Sequence, residues 1–176
     1  IRDDNVLKFS VEYVGRYKEK EGSNTYIDTE VEGIDTQELL ESPKRLEKIT
    51  DYIIAEYGRK THQKTFNAMF CVSRIDVLQK YYDLFQKKKE EGKHDLKIAT
   101  IFSFAANEEQ SAKGEIVDET FEPSAMDSSA KEFLAKAIRD YNKMFKTNFG
   151  VDSKEFQSYY RDLANRVKKQ EVDLLI

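Results

Sequence analysis

The sequence predicts an α/β fold in which a mostly parallel sheet is flanked by helices. Two observations carry that prediction. Short apolar runs recur at "FNAMFCV" (66–72), "LKIATIFSF" (96–104) and "VDLLI" (172–176). Between them lie segments whose apolar residues repeat at helical spacing. Parallel strands need a long crossover and helices on both faces, and these intervening segments supply both.

Element by element, "VLKFSVEYV" alternates, with Leu7, Phe9, Val11 and Tyr13 on one side, and predicts a strand with one wet face near a sheet edge. The polar stretch that follows reads as a surface loop. "ESPKRLEKITDYIIAEYGRK" opens with Ser42 as N-cap and Pro43 at the first helical position, carries Leu46, Ile49, Ile53 and Tyr57 on one stripe, and has Gly58, then Arg59 and Lys60, suited to its end. The 66–72 run predicts a strand buried on both faces, so Cys71 reads as a small buried hydrophobe. "SRID" starts a helix striped by Ile75, Leu78, Tyr82 and Phe85, and 96–104 is a second buried strand. Residues 66–104 therefore form a β-α-β unit, which implies parallel strands and a right-handed crossover.

After Phe104 comes a long polar stretch, then two amphipathic helices. The first carries Ala130, Phe133, Ala137 and Tyr141; the second opens on Asp152 with Glu155 in a capping arrangement and carries Phe156, Tyr159, Leu163 and Val167. The run 172–176 is the last strand and is expected within the central sheet. The predicted order is β, α, β, α, β, α, α, β, with no repeat or linker dividing it. The chain starts without Met and stops on an apolar strand, which reads as a segment of something larger.

Composition narrows the function. Apolar residues at 39% and charged residues at 35% suit a globular domain, and no run reaches the ~20 apolar residues of a membrane span. A single cysteine rules out an internal disulfide and points to a reducing, cytoplasmic setting. His62 and His94 stand apart with no cysteine companion, against a zinc site. A net charge of −4 lacks the basic field of a stand-alone nucleic-acid binder, though local basic contacts remain compatible with it.

Chemistry is sparse. The phosphate-loop pattern GxxxxGK[ST] and the GxGxxG fingerprint are both absent from the chain. "VDETF" (117–121) imitates an ATPase acidic box, but it does not end a long apolar strand and reads better as loop. Glu91-Gly92-Lys93 matches the letters of a nuclease E-x-K, but it closes a helix inside a charge run and reads as a solvated face. No catalytic set and no metal set assembles. One geometry has functional promise. Ligands meet parallel sheets at the carboxyl ends of strands, where helix N-termini favour anions. Ser73 and Arg74 stand at such an end, either as phosphate contacts or as a plain N-cap and a surface residue, and Ser103 stands at a second.

Four strings, "KTFNAMFCVSRIDVLQKYYDLFQ", "LKIATIFSFAANEEQ", "SAMDSSAKEFLAKAIRDYNKMFKTNF" and "FQSYYRDLANRVKKQEVDLLI", closely resemble the restriction (R, motor) subunit of type I restriction–modification enzymes, and the resemblance covers nearly the whole chain. It implies a RecA-like (P-loop NTPase-like) fold. Residues 1–176 would form one partial domain, the second motor domain, with 105–150 as a family-specific insertion. It carries Ser73 and Arg74 over as DNA-backbone contacts, with Ser103 after them. It implies a full-length ATP-dependent translocase and endonuclease that uses ATP and Mg2+ and works on double-stranded DNA with methyltransferase and specificity subunits. The phosphate loop, acidic box, nuclease residues and arginine finger of that family have no counterpart here, so the segment alone is expected to be inactive and to bind no cofactor. The other readings are a non-catalytic α/β protein-interaction module and the motor domain of a nuclease-less helicase.

Overall fold

The structure, a computed structural model, describes residues 11–12, 41–101 and 128–176. The chain divides into Ile1–Ile34 and Asp35–Ile176, and every element below belongs to the second unit. In chain order these are α1 (Pro43–Lys60), β1 (Ala68–Met69), α2 (Ile75–Glu90), β2 (Ile98–Ala99), α3 (Ser128–Phe145), α4 (Ser153–Lys168) and β3 (Leu174–Leu175). The expected strand near residues 6–14, the acidic stretch 117–121 and Ser103 lie outside the described residues.

The three strands form one parallel sheet in the order β1-β3-β2. Leu174 is level with both Ala68 and Ile98, and Leu175 with both Met69 and Ala99. The apolar 172–176 run is thus the middle of the sheet, as its composition predicts, with Leu174 1% and Ile176 6% exposed. β1 and β2 are parallel without touching, because β3 is inserted between them. This parallel sheet flanked by helices agrees with a RecA-like α/β fold carrying a helical insertion.

One face of the sheet packs against α1 and α2 through Tyr57, Leu78, Phe85, Leu96, Ile98 and Leu174. The other face packs against α3 and α4 through Ala99, Ile138, Tyr141, Phe156, Tyr159 and Leu163. Burying an aromatic such as Phe85, at 0% exposure, contributes about 1.5–3 kcal/mol. The bend before β3 is fixed by polar contacts. The Tyr57 hydroxyl donates to the Asp173 carbonyl at 2.7 Å, and the Asp173 carboxylate accepts the Lys97 N–H at 2.7 Å. Burial and the neighbouring Asp173 charge push the Tyr57 phenol up to about 12, so it stays a donor at neutral pH.

Ser42 is the N-cap of α1 with Pro43 inside the first turn, as the sequence predicts, although the serine side chain makes no capping bond. The helix ends where the sequence places its end. α1 runs to Lys60, where Arg59 and Lys60 favour the negative end of the dipole, and Thr61 is the C-cap. The chain then turns through three consecutive left-handed residues, His62, Gln63 and Lys64, none of them glycine. Each costs about 1–2 kcal/mol. The turn is held by Gln63 N–H to the Gly58 carbonyl (2.7 Å) and Phe66 N–H to the Thr61 carbonyl (3.1 Å).

The 66–72 run is not buried on both faces. Ala68, Phe70 and Val72 are half-buried against α1 and α2, while Met69 is 69% exposed and Cys71 is exposed. The helices that cover the other face reach β2 and β3 but not the Met69 side of β1. Among the described residues, no helix is long and apolar enough to cross a membrane.

Candidate nucleic-acid interface

The carboxyl end of β1 leads straight into α2. Phe70 is the last residue of this segment tied to the sheet, through its N–H to the Leu175 carbonyl at 2.8 Å. Cys71 to Ser73 then climb out of the sheet, and α2 begins at Ile75. The N-cap is Arg74, with extended backbone (φ −148°, ψ 153°), and its carbonyl accepts the first helical bond from Leu78 N–H. Ser73 is therefore not the cap. It lies one residue outside the helix, exposed, with a hydroxyl that has no partner among the described residues.

Arg74 is exposed, yet its charge is already engaged. Its Nε donates to Asp76 Oδ1 at 2.9 Å and its Nη2 to Asp76 Oδ2 at 2.7 Å, a two-pronged fork. Nη1 lies 3.4 Å from Glu41 Oε1, and the other Glu41 oxygen accepts from Lys80 Nζ at 2.8 Å. Two cations and two carboxylates are thus linked over the start of α2.

Titration behaviour follows from this arrangement. Hydrogen bonding to Asp76, then its charge, raises the Arg74 guanidinium above its ordinary range. For Asp76, partial burial pulls upward, but the Arg74 fork and charge, with the Val77 and Asp76 N–H groups, outweigh it and hold the carboxyl below the usual range. The anion-favouring position at the head of α2 is therefore filled by the protein's own carboxylate.

The structure brings Ser73 and Arg74 together at one exposed strand end, as the sequence predicts; Ser103 lies outside the described residues. Sequence reasoning missed Asp76 and Glu41. The local signal for Asp76 was Arg-x-Asp at a helix start; Glu41 and Lys80 join only through the fold. The Glu91/Lys93 pair is self-contained, bridged at 2.7 Å. His94 is held by backbone, its Nε2 against the Phe85 carbonyl at 2.9 Å and its Nδ1 accepting the Leu96 N–H at 3.2 Å. Among the described residues no three metal-ligating side chains cluster.

Comparison with known proteins shows the family. The family described as "Type I restriction enzyme subunit R domain 3" matches residues 64–176. The endonuclease subunit of a type I restriction enzyme from Staphylococcus aureus (strain COL) is 34% identical over 180 residues, covering 100% of this chain and 18% of that protein. The corresponding subunit from Staphylococcus saprophyticus subsp. saprophyticus is 40% identical over 147 residues, 84% of this chain and 15% of that protein. The chain thus spans under a fifth of the length of these curated relatives.

Proposed function

The chain belongs to the R-subunit family of type I restriction enzymes, and from that premise we propose that it is the second RecA-like motor domain of an ATP-dependent DNA translocase, with 105–150 as an insertion within it. The observation that carries this reading is the exposed Ser73–Arg74 turn at the carboxyl end of a parallel strand, the edge at which such sheets meet their ligands. Arg74 grips one strand of the duplex through phosphate oxygens, which makes the contact indifferent to base sequence.

The Arg74–Asp76 fork suits a grip that must be released at every step. A phosphate presents two oxygens to a guanidinium much as a carboxylate does. When DNA arrives, Arg74 exchanges the Asp76 oxygens for phosphate oxygens; when DNA moves on, Asp76 takes the guanidinium back. The cation has partners in both states, so neither leaves an uncompensated charge. Ser73 adds a hydroxyl beside it.

The sequence lacks a phosphate-loop pattern, and among the described residues no three metal-ligating side chains cluster. In this reading ATP and Mg2+ bind in the full-length subunit against the first motor domain, cleavage belongs to a nuclease upstream, and methyltransferase and specificity subunits complete the complex.

The test is Arg74→Ala in the full-length subunit assembled with its partners. Translocation along duplex DNA should be lost or strongly slowed with folding intact, and the dependence of log affinity on log salt should become shallower by about one. Arg74→Lys, which keeps the charge and loses the fork, should fall between. Wild-type translocation in Arg74→Ala would refute the assignment.

A further inference from the structure

The outer face of α4 is basic along its whole length. At 3.6 residues per turn, Lys154, Gln157, Ser158, Arg161, Asn165 and Lys168 fall within an arc of about 100°. All six are exposed, and the arc lies opposite the buried Phe156, Tyr159 and Leu163. No carboxylate falls inside it, in a chain that carries 33 acids against 29 bases. The acids that flank it are occupied or turned away. Asp162 accepts from the Tyr141 hydroxyl at 2.7 Å and from Arg166 Nε at 2.8 Å, and Glu171 accepts from Arg166. Asp152 caps the helix, and Glu155 sits about 100° round, beside Gly150.

Several other cations of this unit are matched with carboxylates: Lys64 with Asp95, Arg74 with Asp76, Lys80 with Glu41, Lys136 with Asp83. Lys154, Arg161 and Lys168 have no such partner among the described residues. They recur every seven residues, so their Cα atoms stand about 10 Å apart and span about 21 Å. That is the length of about six successive phosphates on one strand of a duplex.

We propose that this face of α4 is a second DNA-backbone contact, in which Lys154, Arg161 and Lys168 neutralise phosphates and the Gln157 and Asn165 amides donate hydrogen bonds between them. A repeating anion fits the pattern better than an acidic protein surface does. The arc holds no apolar or aromatic side chain to anchor a protein interface, and lysine is depleted from such interfaces. Tyr160, half exposed, lies on the flank, about 100° from the middle of the stripe.

The proposal rests on the reading that the full-length subunit handles duplex DNA, and it is independent of Arg74. The experiment replaces Lys154, Arg161 and Lys168 together by Gln in the full-length subunit and measures affinity for a non-specific duplex across a salt series. With three phosphates no longer neutralised, the log–log slope should become shallower by about 2.7. A control, Lys87→Gln/Lys93→Gln/Lys97→Gln, makes the same change of net charge on exposed residues in the last turn of α2 and the segment that follows it to β2, and should leave the slope unchanged. An unchanged slope in the α4 triple variant, or an equal loss in the control, overturns the proposal. So does an unchanged slope with weakened assembly onto the methyltransferase and specificity subunits, which would make the face a protein contact. A wild-type subunit without salt-dependent duplex binding would instead bring down the translocase reading itself.

Discussion

Strands β1 and β2 pair with the same two residues of β3, in the same direction and at matching register, yet their surroundings differ. Ile98 and Ala99 of β2 are each 2% exposed, one under α1 and α2 and the other under α3 and α4. Met69 occupies the place in β1 that Ala99 occupies in β2 and is 69% exposed. Among the described residues the difference comes from the reach of the second helical layer, which covers Ala99 and leaves Met69 bare. An apolar run tells that a segment is a strand; the length and placement of distant helices decide how many of its faces become interior.

The largest expected effect tests that contrast directly. Ile98→Ala should destabilise the fold by about 2–5 kcal/mol in urea denaturation, since it empties a filled site. Met69→Ala should stay within about 0.5 kcal/mol, as for a surface substitution. Equal costs would break the comparison.

The anchors from α4 sharpen it. The Tyr159 hydroxyl donates to the Thr100 carbonyl at 2.6 Å at the end of β2, wholly buried, and burial keeps that phenol protonated. Asn67, just before β1, donates to the Val167 carbonyl at 2.7 Å in a half-buried setting. Tyr159→Phe should cost about 1–3 kcal/mol, because the carbonyl it leaves is out of water's reach, and Asn67→Ala about 1 kcal/mol or less. The reverse order would show that β1 is the better-anchored strand.

The smallest effect lies at the entrance to β2. His94 is held neutral: Nδ1 must be unprotonated to accept the Leu96 N–H, which leaves Nε2 to donate to the Phe85 carbonyl. Burial lowers its pKa; the Phe85 carbonyl and Asp95 oppose this, while Lys89 and Lys64 reinforce it. An unfolded histidine takes a proton near pH 6.5, and the folded site takes it only at lower pH. Stability should therefore be flat above that value and fall as pH drops through it, by at most about 1.4 kcal/mol per pH unit. Urea denaturation at pH 7.5 and 5.5, with His94→Gln as reference, reads this out. A wild-type loss no larger than that of the variant would remove His94 as the cause.

Much of the fold was legible because periodicity and burial agree in the helices. The Leu78, Tyr82 and Phe85 stripe, the Ala130 to Tyr141 stripe and the Asp152 cap are all where spacing puts them. The misreadings were long-range. Cys71 was expected inside because its neighbours are apolar, and it is outside because, among the described residues, no helix covers it. At the candidate interface Ser73 and Arg74 were visible at a strand–helix turn. Of the carboxylate partners of Arg74, Asp76 carried a local signal that was missed, and Glu41 lies more than thirty residues away, joined only through the fold. The α4 face was equally hidden, since its meaning lies in acids that are absent and in the occupied neighbours Asp162 and Glu171.

The position of β3 also sets a schedule. Both sheet pairings wait for the strand that is made last of the three, and β1 precedes it by about a hundred residues. At about 5–20 residues per second of synthesis, β1 leaves the ribosome some 5–20 seconds before its partner exists. During that interval Ala68, Phe70 and Val72 have α1 and α2 to lean on but, among the described residues, no neighbouring strand. The nascent unit is thus a loosely held helical half-layer, and the five residues 172–176 turn it into a sheet.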